Sequence, residues 1–213
     1  MIIAVDGPAG AGKSTIAKIV AEKMNINYID TGAMYRAITY KALCEKIDIS
    51  NEDAISNLAK ETLIDFKENN IYLDGKILTE EIRTLEVSSN VSNIAKITDV
   101  RHLMVDVQRN IAKKTDVILD GRDIGSYVFP NADYKFFLVA TSEERGRRRH
   151  KEMIEKGYDI TLEEIINDIE KRDEIDSNRE FAPLKKADDA ILIDTTGKTI
   201  EDVVLNLINT IQK

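Results

Sequence analysis

Residues 7–15 read Gly7-Pro8-Ala9-Gly10-Ala11-Gly12-Lys13-Ser14-Thr15. An apolar run, Met1–Val5, precedes this segment, and an amphipathic helical pattern, Ser14–Met24, follows it. The order of strand, glycine-rich loop and helix is typical of a phosphate-binding loop, whose backbone N–H groups point at phosphate oxygens. In such a loop Lys13 reaches the β- and γ-phosphates, and the hydroxyl of Ser14 binds Mg²⁺. The segment therefore predicts that the chain binds a nucleoside triphosphate.

The composition is that of a single soluble globular domain, because 43% of the 213 residues are hydrophobic and 32% are charged. No apolar run reaches the length of a membrane span, and no basic segment precedes the N-terminal apolar run, so we expect a cytoplasmic protein. The net charge of −8 argues against a surface that coats nucleic acid. An acidic protein that binds nucleotides must concentrate its positive charge locally, which makes the position of each arginine informative.

Cysteine and histidine are scarce in this chain. Cys44 is the only cysteine, which excludes an internal disulfide, and its helical context predicts a small buried or half-buried side chain. His102 and His150 are the only histidines and lie far apart in the sequence. A Cys/His metal site is therefore not expected.

Strand-like runs alternate with helical patterns along the chain. Strands are predicted at Met1–Val5, Tyr28-Ile29, Val117–Leu119, Tyr134–Ala140 and Ala190–Ile193. Helices are predicted at Ser14–Met24, Ala33–Glu45, Val100–Lys114, Ser142–Lys156, Leu162–Ile175 and Ile200–Ile211. Local signals support them: Thr141 with Glu144 and Thr161 with Glu164 as capping boxes, and Gly157 as a helix end. The alternation predicts an α/β fold with a mostly parallel sheet covered by helices on both faces.

The stretch from about residue 60 to residue 98 interrupts this alternation. Residues 63–78 have the pattern of short strands joined by polar turns at Asn69-Asn70 and Asp74-Gly75. Asp-Gly is a strong two-residue hairpin signal. Residues 79–96 have the pattern of short helices. We therefore predict an insert on the core, made of a small antiparallel meander followed by helices.

Two arginines follow predicted strands in glycine-containing segments. Arg36 ends the segment Asp30–Arg36, and Arg122 lies within Asp120–Gly125. Residues at the carboxyl end of a strand face the ligand crevice of an open α/β sheet. A lone arginine is more often part of a surface ion pair, but two at strand ends favour an anion site. A further group with helix-compatible spacing consists of Arg172, Asp176 and Arg179.

The chain contains no His-Arg-Asp catalytic loop, the element with which protein kinases position a hydroxyl acceptor. A phosphate acceptor needs no such base, since its second ionisation is largely complete near neutral pH. Several arginines that converge with Lys13 and Mg²⁺ would instead screen two repelling anions and stabilise the transferring phosphoryl group. These features favour phosphoryl transfer to a phosphate.

Five segments extend this interpretation over nearly the whole chain. They are Gly7–Thr15, Asp30–Arg36, Ile82–Ser88, Asp120–Gly125 and the block Arg172–Arg179 that leads into Ala182-Pro183-Leu184. In this order they resemble the bacterial cytidylate kinase family. The resemblance implies a nucleoside monophosphate kinase fold with a core, a monophosphate-binding insert at about residues 60–98 and a lid at about residues 145–160. It implies transfer of a phosphoryl group from ATP to CMP or dCMP, giving ADP and CDP or dCDP. For partners we expect nucleotides alone, without nucleic acid or membrane, and a monomeric protein.

The resemblance also implies roles for residues that match the family's motifs. ATP would be held by Gly7, Pro8, Ala9, Gly10, Ala11, Gly12, Lys13, Ser14 and Thr15, with lid arginines Arg145, Arg148 and Arg149. The acceptor phosphate would be clamped by Arg36, Arg122 and Arg179, with Thr31 nearby. The ribose would be contacted by Arg172 and Asp176, and the base by Ser92, Arg101 and Asp123. Catalysis would fall to Lys13, Arg122, Arg179 and Asp120.

The base-reading set fits the chemistry of cytosine. Its N4 amine is a donor beside the acceptors N3 and O2, so an acidic or hydroxyl acceptor paired with an arginine matches its edge. Other interpretations stay open at this point: Ser92 as a helix cap, Arg101 as a solvated helix residue, and the lid arginines as a solvated basic face. For Asp120 we prefer a role near Mg²⁺, holding coordinated water, over a structural turn.

Two competing functions remain. The first is another small-molecule kinase of the same architecture, such as an adenylate or shikimate kinase, although the acceptor-site signatures of those families are absent. The second is a nucleotide-hydrolysing switch that signals through a partner, although a guanine-reading Asn-Lys-x-Asp motif is also absent.

Overall fold

The structure is a computed structural model that describes residues 1–67, 69–113 and 115–212. Its strands are β1 (Ile2–Asp6), β2 (Asn27–Asp30), β3 (Ile64–Lys67), β4 (Asn70–Leu73), β5 (Lys76–Leu78), β6 (Val117–Gly121), β7 (Tyr134–Val139) and β8 (Ile191–Asp194). Its α-helices are α1 (Lys13–Met24), α2 (Thr31–Cys44), α3 (Glu52–Lys60), α4 (Leu85–Ala95), α5 (Thr98–Ala112), α6 (Ser142–Glu155), α7 (Leu162–Asn178) and α8 (Ile200–Ile211). The described residues also form a 3-10 turn, Glu81–Arg83, and a π-helical turn, Ile124–Val128.

Five strands form a parallel sheet in the order β2-β6-β1-β7-β8. Side chains of β1 alternate between its two faces: Ile3 and Val5 join a core with α1 and α8, whereas Ala4 joins a second core that contains Val105 of α5. Helices thus cover both faces, which confirms the predicted α/β class. Because the strands run parallel, the loops at their carboxyl ends meet at one edge of the sheet.

The other three strands form an antiparallel sheet in the order β3-β4-β5. The hairpin between β4 and β5 turns at Asp74 and Gly75, whose φ values of 49° and 81° are those of the predicted two-residue turn. At the other turn Asn69 has φ 61°, and Glu68 lies outside the described residues. Apolar side chains of this meander pack with α2, α3, α4 and α5 in one core.

Helices α6 and α7 pack closely against each other at Gly146. A Cβ atom there would lie 2.4 Å from Cγ1 of Ile166, so a larger residue would push the helices apart. Gly157, with φ 82°, follows α6 and confirms the predicted helix end. The predicted capping box at Thr161 and Glu164 is present.

Of the two hydrogen bonds in the capping box predicted at the start of α6, only the one accepted by Thr141 is present. The side chain of Thr141 accepts a hydrogen bond from the backbone N–H of Glu144, as expected. The carboxylate of Glu144, however, accepts from Nε of Arg148 at 3.0 Å. Arg148 thus uses the carboxylate that the capping box would require.

Cys44 is exposed, contrary to the prediction of a buried or half-buried side chain. The buried stripe of α2 includes Ile38 and Ala42. Cys44 lies two residues beyond Ala42, about 200° around the helix, and therefore points away from the core.

Several helix boundaries also differ from the predictions. α2 begins at Thr31 instead of Ala33, because the carboxylate of Asp30 accepts from the N–H of Ala33 and caps the helix. α7 continues past Ile175 to Asn178. α5 begins at Thr98 and ends at Ala112, and Lys114, the predicted end, lies outside the described residues.

α3 was not among the helices predicted from the sequence. Its signals are Asn51, whose side chain accepts from the N–H of Ala54, and the two acidic residues of the first turn. Within the residues that the structure describes, no helix is long and apolar enough to cross a membrane.

Candidate active site

A cavity of about 680 Å³ opens at the carboxyl edge of the parallel sheet. It is lined by the loop after β1, the first turn of α2, the segment after β6, and side chains of α4, α6 and α7. Its volume is within the range of small-molecule sites. The cavity brings together predicted site residues from distant parts of the chain: Lys13, Ser14, Thr31, Arg36, Ser92, Arg101, Asp120, Arg122, Asp123, Arg148, Arg149, Arg172, Asp176 and Arg179.

The loop after β1 requires glycine for two different reasons. Gly7 has φ 145°, and a Cβ atom there would lie 2.0 Å from the carbonyl oxygen of Leu138 on β7. Gly10 and Gly12 have φ values of 75° and 86°, in the left-handed region that favours glycine. This backbone ends at the N-terminus of α1, where unpaired N–H groups attract anions.

Lys13 is buried at the start of α1, and its Nζ donates to the carbonyl oxygen of Pro8 at 2.7 Å. Burial, together with the nearby guanidinium of Arg122, lowers the pKa of the Lys13 ammonium to about 7. The carboxylate of Asp120 opposes this shift. Lys13 is thus a desolvated cation held at the mouth of the loop, where an anionic ligand would raise its pKa again.

Asp120 joins the phosphate-binding loop to the core. Its Oδ2 accepts from Oγ of Ser14 at 2.8 Å, and its Oδ1 accepts from the hydroxyl of Tyr28, also at 2.8 Å. Burial, then the neighbouring Asp30, raise the pKa of Asp120 to about 6. Thr31, the expected neighbour of the acceptor phosphate, donates from Oγ1 to the carbonyl oxygen of Asp120 at 2.6 Å. The carboxylate of Asp120 therefore accepts from the hydroxyls of Ser14 and Tyr28, and its backbone carbonyl oxygen accepts from that of Thr31.

Most arginines of the cleft are paired with carboxylates. Arg36 donates to Oδ2 of Asp30 at 2.7 Å, and Nε of Arg122 donates to Oδ2 of Asp176 at 2.8 Å. Although burial disfavours its charge, Asp176 holds the pKa of Arg122 above its usual range. These pairs fix the guanidinium planes before any substrate enters.

The carboxylate of Asp123 forms ion pairs with two arginines. Its Oδ2 accepts from Nη2 of Arg101 at 2.5 Å, and its Oδ1 accepts from Nη2 of Arg179 at 3.1 Å. Arg101 is 1% exposed, so it is not the solvated helix residue that the sequence left open. Ser92 is buried in the interior of α4 and lines the cavity, so it is not a helix cap.

Three guanidinium Nε atoms in the cleft are buried without a hydrogen-bond partner among the described residues: those of Arg36, Arg101 and Arg172. Burial, together with the charge of Arg122, lowers the pKa of Arg172 to about 10. A buried donor without a partner costs about 1–3 kcal/mol. Such donors in one cavity indicate a site for a ligand that is rich in acceptor oxygens.

The three predicted lid arginines occupy different environments. Arg145 is buried outside the cavity lining and donates to the carbonyl oxygens of Ala9 and Ala140 and to Asp173. Arg148 lines the cavity and donates to the backbone and side chain of Thr195.

Arg149 also lines the cavity. It donates to Glu152 at 2.7 Å and to Oγ of Ser88 on α4 at 3.3 Å. A solvated basic face therefore describes none of these three arginines.

Sequence reasoning missed four carboxylates and a hydroxyl that hold this site in place. They are Asp6, Asp30, Asp173, Asp176 as a partner of Arg122, and Tyr28. Asp6 and Asp30 end β1 and β2, a position that the sequence does show. Asp173 accepts from the N–H of Ala9 at 3.0 Å and from Arg145. No local signal distinguishes that contact from a solvated acid on α7.

Comparison with known proteins agrees with this site. A family model described as cytidylate kinase matches residues 3–213. A cytidylate kinase of Clostridioides difficile (strain 630) is 70% identical over 211 residues, covering 99% of this chain and 98% of the relative. A cytidylate kinase of Alkaliphilus oremlandii (strain OhILAs) is 59% identical, covering 97% of this chain and 95% of the relative.

Solved structures extend the comparison to the fold alone. A shikimate kinase from Bacteroides thetaiotaomicron has a TM-score of 0.50 at 15% identity, covering 100% of this chain and 99% of that chain. The family match over nearly the full length, joined to the glycine loop and the arginine-lined cleft, leads to one conclusion. The chain belongs to the cytidylate kinase family of P-loop transferases, enzymes that phosphorylate CMP or dCMP with ATP.

Proposed function

We propose that this chain transfers the γ-phosphoryl group of ATP to the phosphate of CMP or dCMP, with the cleft arginines binding the acceptor. The observation that carries the proposal is the convergence of Arg36, Arg122, Arg172 and Arg179 in one cavity with Lys13. Two of them, Arg36 and Arg172, keep a buried Nε without a partner among the described residues. A phosphate supplies the acceptor oxygens that such donors lack.

The acceptor phosphate binds to Arg36, Arg122 and Arg179, with Thr31 beside them. These arginines come from α2, the segment after β6 and the end of α7, so they reach the phosphate from separate elements. Their carboxylate partners hold them in position and leave further N–H groups for the ligand. No enzyme base is required, because the dianionic phosphate is itself the nucleophile.

The nucleoside of the acceptor is recognised deeper in the cleft. Arg172 and Asp176 contact the ribose, while Ser92, Arg101 and Asp123 read the base. Asp123 accepts from the N4 amine of cytosine, and Arg101 donates to its acceptor edge. The burial of Arg101 and Asp123 supports this assignment, since buried polar groups reject a base that leaves them unpaired.

ATP binds through the backbone of Gly7–Thr15, with Lys13 at its β- and γ-phosphates. Arg148 and Arg149 face the cavity and are the lid arginines that contact ATP directly. Arg145 contributes by holding the backbone of Ala9 from behind, as its hydrogen bonds indicate.

The residues present fit a magnesium ion. The hydroxyl of Ser14 and the carboxylate of Asp120 are hard oxygen donors in contact with each other, and Mg²⁺ sites commonly use one or two such groups with phosphates and water. When bound, Mg²⁺ neutralises charge on the β- and γ-phosphates. Ser14 would be its ligand, and Asp120 would hold water coordinated to it.

The proposal extends to the whole chain. Residues 60–98 form the monophosphate-binding insert, and residues 145–160 form the lid. The protein acts as a monomer in the cytoplasm, with nucleotides as its partners and without nucleic acid or membrane. The net charge of −8 supports the absence of a nucleic-acid surface.

The test is a panel of nucleoside monophosphates with ATP and Mg²⁺, read as ADP release in a coupled assay. We expect ADP release that depends on CMP or dCMP and is much weaker with AMP, GMP and UMP. ADP release that is independent of any acceptor would identify a nucleotide-hydrolysing switch and overturn the proposal. Preference for AMP would identify a kinase of different acceptor specificity.

A further inference from the structure

Asp6 is a buried carboxylate that the proposed mechanism does not use. It ends β1, directly before the phosphate-binding loop, and is 4% exposed. It does not line the cavity, so it contacts neither nucleotide directly. Its register partner in the sheet is Gly121, the last residue of β6.

Both oxygens of Asp6 bind backbone N–H groups of the π-helical turn that follows β6. Oδ1 accepts from the N–H of Ile124 at 2.8 Å, and Oδ2 accepts from the N–H of Gly125 at 2.7 Å. Burial raises the pKa of Asp6 to about 7, while the same two N–H groups oppose the shift. The hydrogen bonds therefore offset part of the cost of burying the carboxylate.

Asp123 occupies the N-cap position of this turn, where an Asp side chain ordinarily accepts from the first N–H groups. Its carboxylate makes no such cap. It points into the cleft instead and accepts from Arg101 and Arg179. Asp6 takes over the cap from another strand.

We propose that Asp6 is a positioning residue for base recognition: by capping the turn in place of Asp123, it frees the carboxylate of Asp123 to read the base. This inference rests on the proposed base-reading role of Asp123. The side chain of Ile124 also packs closely against Gly121, since a Cβ atom at Gly121 would lie 2.7 Å from Cδ1 of Ile124. The turn is thereby fixed both by hydrogen bonds and by packing.

The readout is the ratio of kcat/KM for CMP to kcat/KM for UMP. Both acceptors use the same ATP, loop and Lys13, so an effect of Asp6 on phosphoryl transfer itself cancels in the ratio. Asp6→Asn keeps the shape but sets an NH₂ group against one of the two backbone N–H donors. We expect the ratio to fall about fivefold or more, because Asp123 is drawn back to the uncapped turn.

Two reference variants complete the experiment. Asp133→Asn removes a carboxylate that accepts from the N–H of Ile2 at the opposite end of β1, outside the cavity lining, and should leave the ratio unchanged. Asp123→Asn should lower the ratio. A normal ratio in Asp6→Asn, beside a lowered ratio in Asp123→Asn, would overturn the positioning role alone.

An unchanged ratio in Asp123→Asn would instead overturn the base-reading assignment on which the inference rests. Far-UV circular dichroism and thermal unfolding establish that each variant is folded. Asp6→Ser, whose hydroxyl can accept one of the two N–H groups, replaces Asp6→Asn if the amide prevents folding. The same fall in the ratio is expected for it, and a normal ratio would count against the proposal.

Discussion

The two halves of the cleft hold their positive charges in different ways. In the half around the glycine loop, Lys13 donates to the backbone carbonyl oxygen of Pro8. The arginines of this half pair with carboxylates that are only half-buried: Arg145 with Asp173, Arg148 with Glu144, and Arg149 with Glu152. In the half proposed to bind the acceptor, arginines donate to carboxylates that are buried. The pairs are Arg36 with Asp30, Arg122 with Asp176, and both Arg101 and Arg179 with Asp123.

This difference has a physical consequence for specificity. The carbonyl oxygen that accepts from Lys13 carries no net charge, and water screens the half-buried carboxylates beside the arginines, so the cations of the first half remain available to neutralise a polyphosphate. Buried carboxylates cancel part of the positive charge in the second half, so an acceptor gains less there from charge alone. What remains is the geometry of hydrogen bonds, which discriminates between ligands of equal charge. The first half is thus suited to binding phosphate and the second to selecting a nucleotide.

The largest expected effect comes from removing the central cation. In Lys13→Ala we expect kcat to fall roughly 100- to 1,000-fold while the fold is kept, because this charge acts most strongly as negative charge redistributes in the transition state. Steady-state turnover with saturating CMP and ATP measures the effect. A folded variant with near wild-type turnover would remove Lys13 from the mechanism.

The acceptor half gives the next largest effect. In Arg36→Ala, Arg122→Ala and Arg179→Ala we expect kcat/KM for CMP to fall about ten- to a hundredfold, since each loses a charge-assisted contact worth roughly 1.5–3 kcal/mol. The affinity for ATP should stay nearly unchanged. Titration of ATP in the absence of CMP separates the two quantities.

Arg147→Ala is a matched control for these variants. Arg147 lies on α6 beside Arg148, is exposed and does not line the cavity. The substitution removes the same kind of side chain and the same charge, and it should change neither the affinity for ATP nor kcat/KM for CMP. If the three cleft variants lost ATP binding and CMP use equally, the division of the cleft into two halves would be wrong.

The two halves also differ in how far the sequence predicts them. The glycine loop is one continuous segment, so Gly7–Thr15 alone predicts the strand, the turn, the helix and the position of Lys13. The acceptor half is assembled from five separate segments. Arg36 and Arg122 could be placed at one edge because parallel strands end there, but which carboxylate each arginine meets depends on how α7 packs.

Most of the site contacts that the sequence did not predict join residues that are far apart along the chain. The contact of Asp6 with Ile124 spans 118 residues, and that of Asp173 with Ala9 spans 164. Neither follows from local spacing. The exposed Cys44 shows a different limit, since helical periodicity places a residue on a face only when the buried stripe is already known.

Base selection gives a somewhat smaller effect than loss of an arginine. We expect CMP to be preferred over UMP by about 1–3 kcal/mol in kcat/KM, because uracil presents the acceptor O4 where cytosine presents a donor. With UMP bound, the acceptor O4 would therefore face the carboxylate of Asp123, which is also an acceptor. Competition between CMP and UMP in one reaction measures the preference directly, and equal efficiencies would contradict base reading by Asp123.

The half around the glycine loop should also show its own pH dependence. The free protein loses the proton of Lys13 as the pH rises through about 7, so kcat/KM for ATP should fall about tenfold per pH unit above that value. Once ATP is bound, its phosphates raise the pKa of Lys13, and kcat should stay level to higher pH. Lys13→Arg, which keeps its proton throughout, should remove the fall. A fall of equal size in that variant would assign the limb to another group.

The smallest expected effect is none at all, and it concerns the acid limb for the acceptor. With no enzyme base, kcat/KM for CMP should decline below about pH 6, where the dianionic phosphate of CMP takes up a proton and becomes a weaker nucleophile. Replacing His102 and His150 by Gln should leave this limb in place, and a limb that moved with either histidine would contradict the phosphate-acceptor mechanism.

Asp120 is a competing source of the acid limb, because its pKa is raised to about 6. A CMP analogue with a more acidic phosphate, the phosphorothioate, separates the two. The limb should move to lower pH if the acceptor titrates, whereas it would stay fixed if Asp120 were responsible.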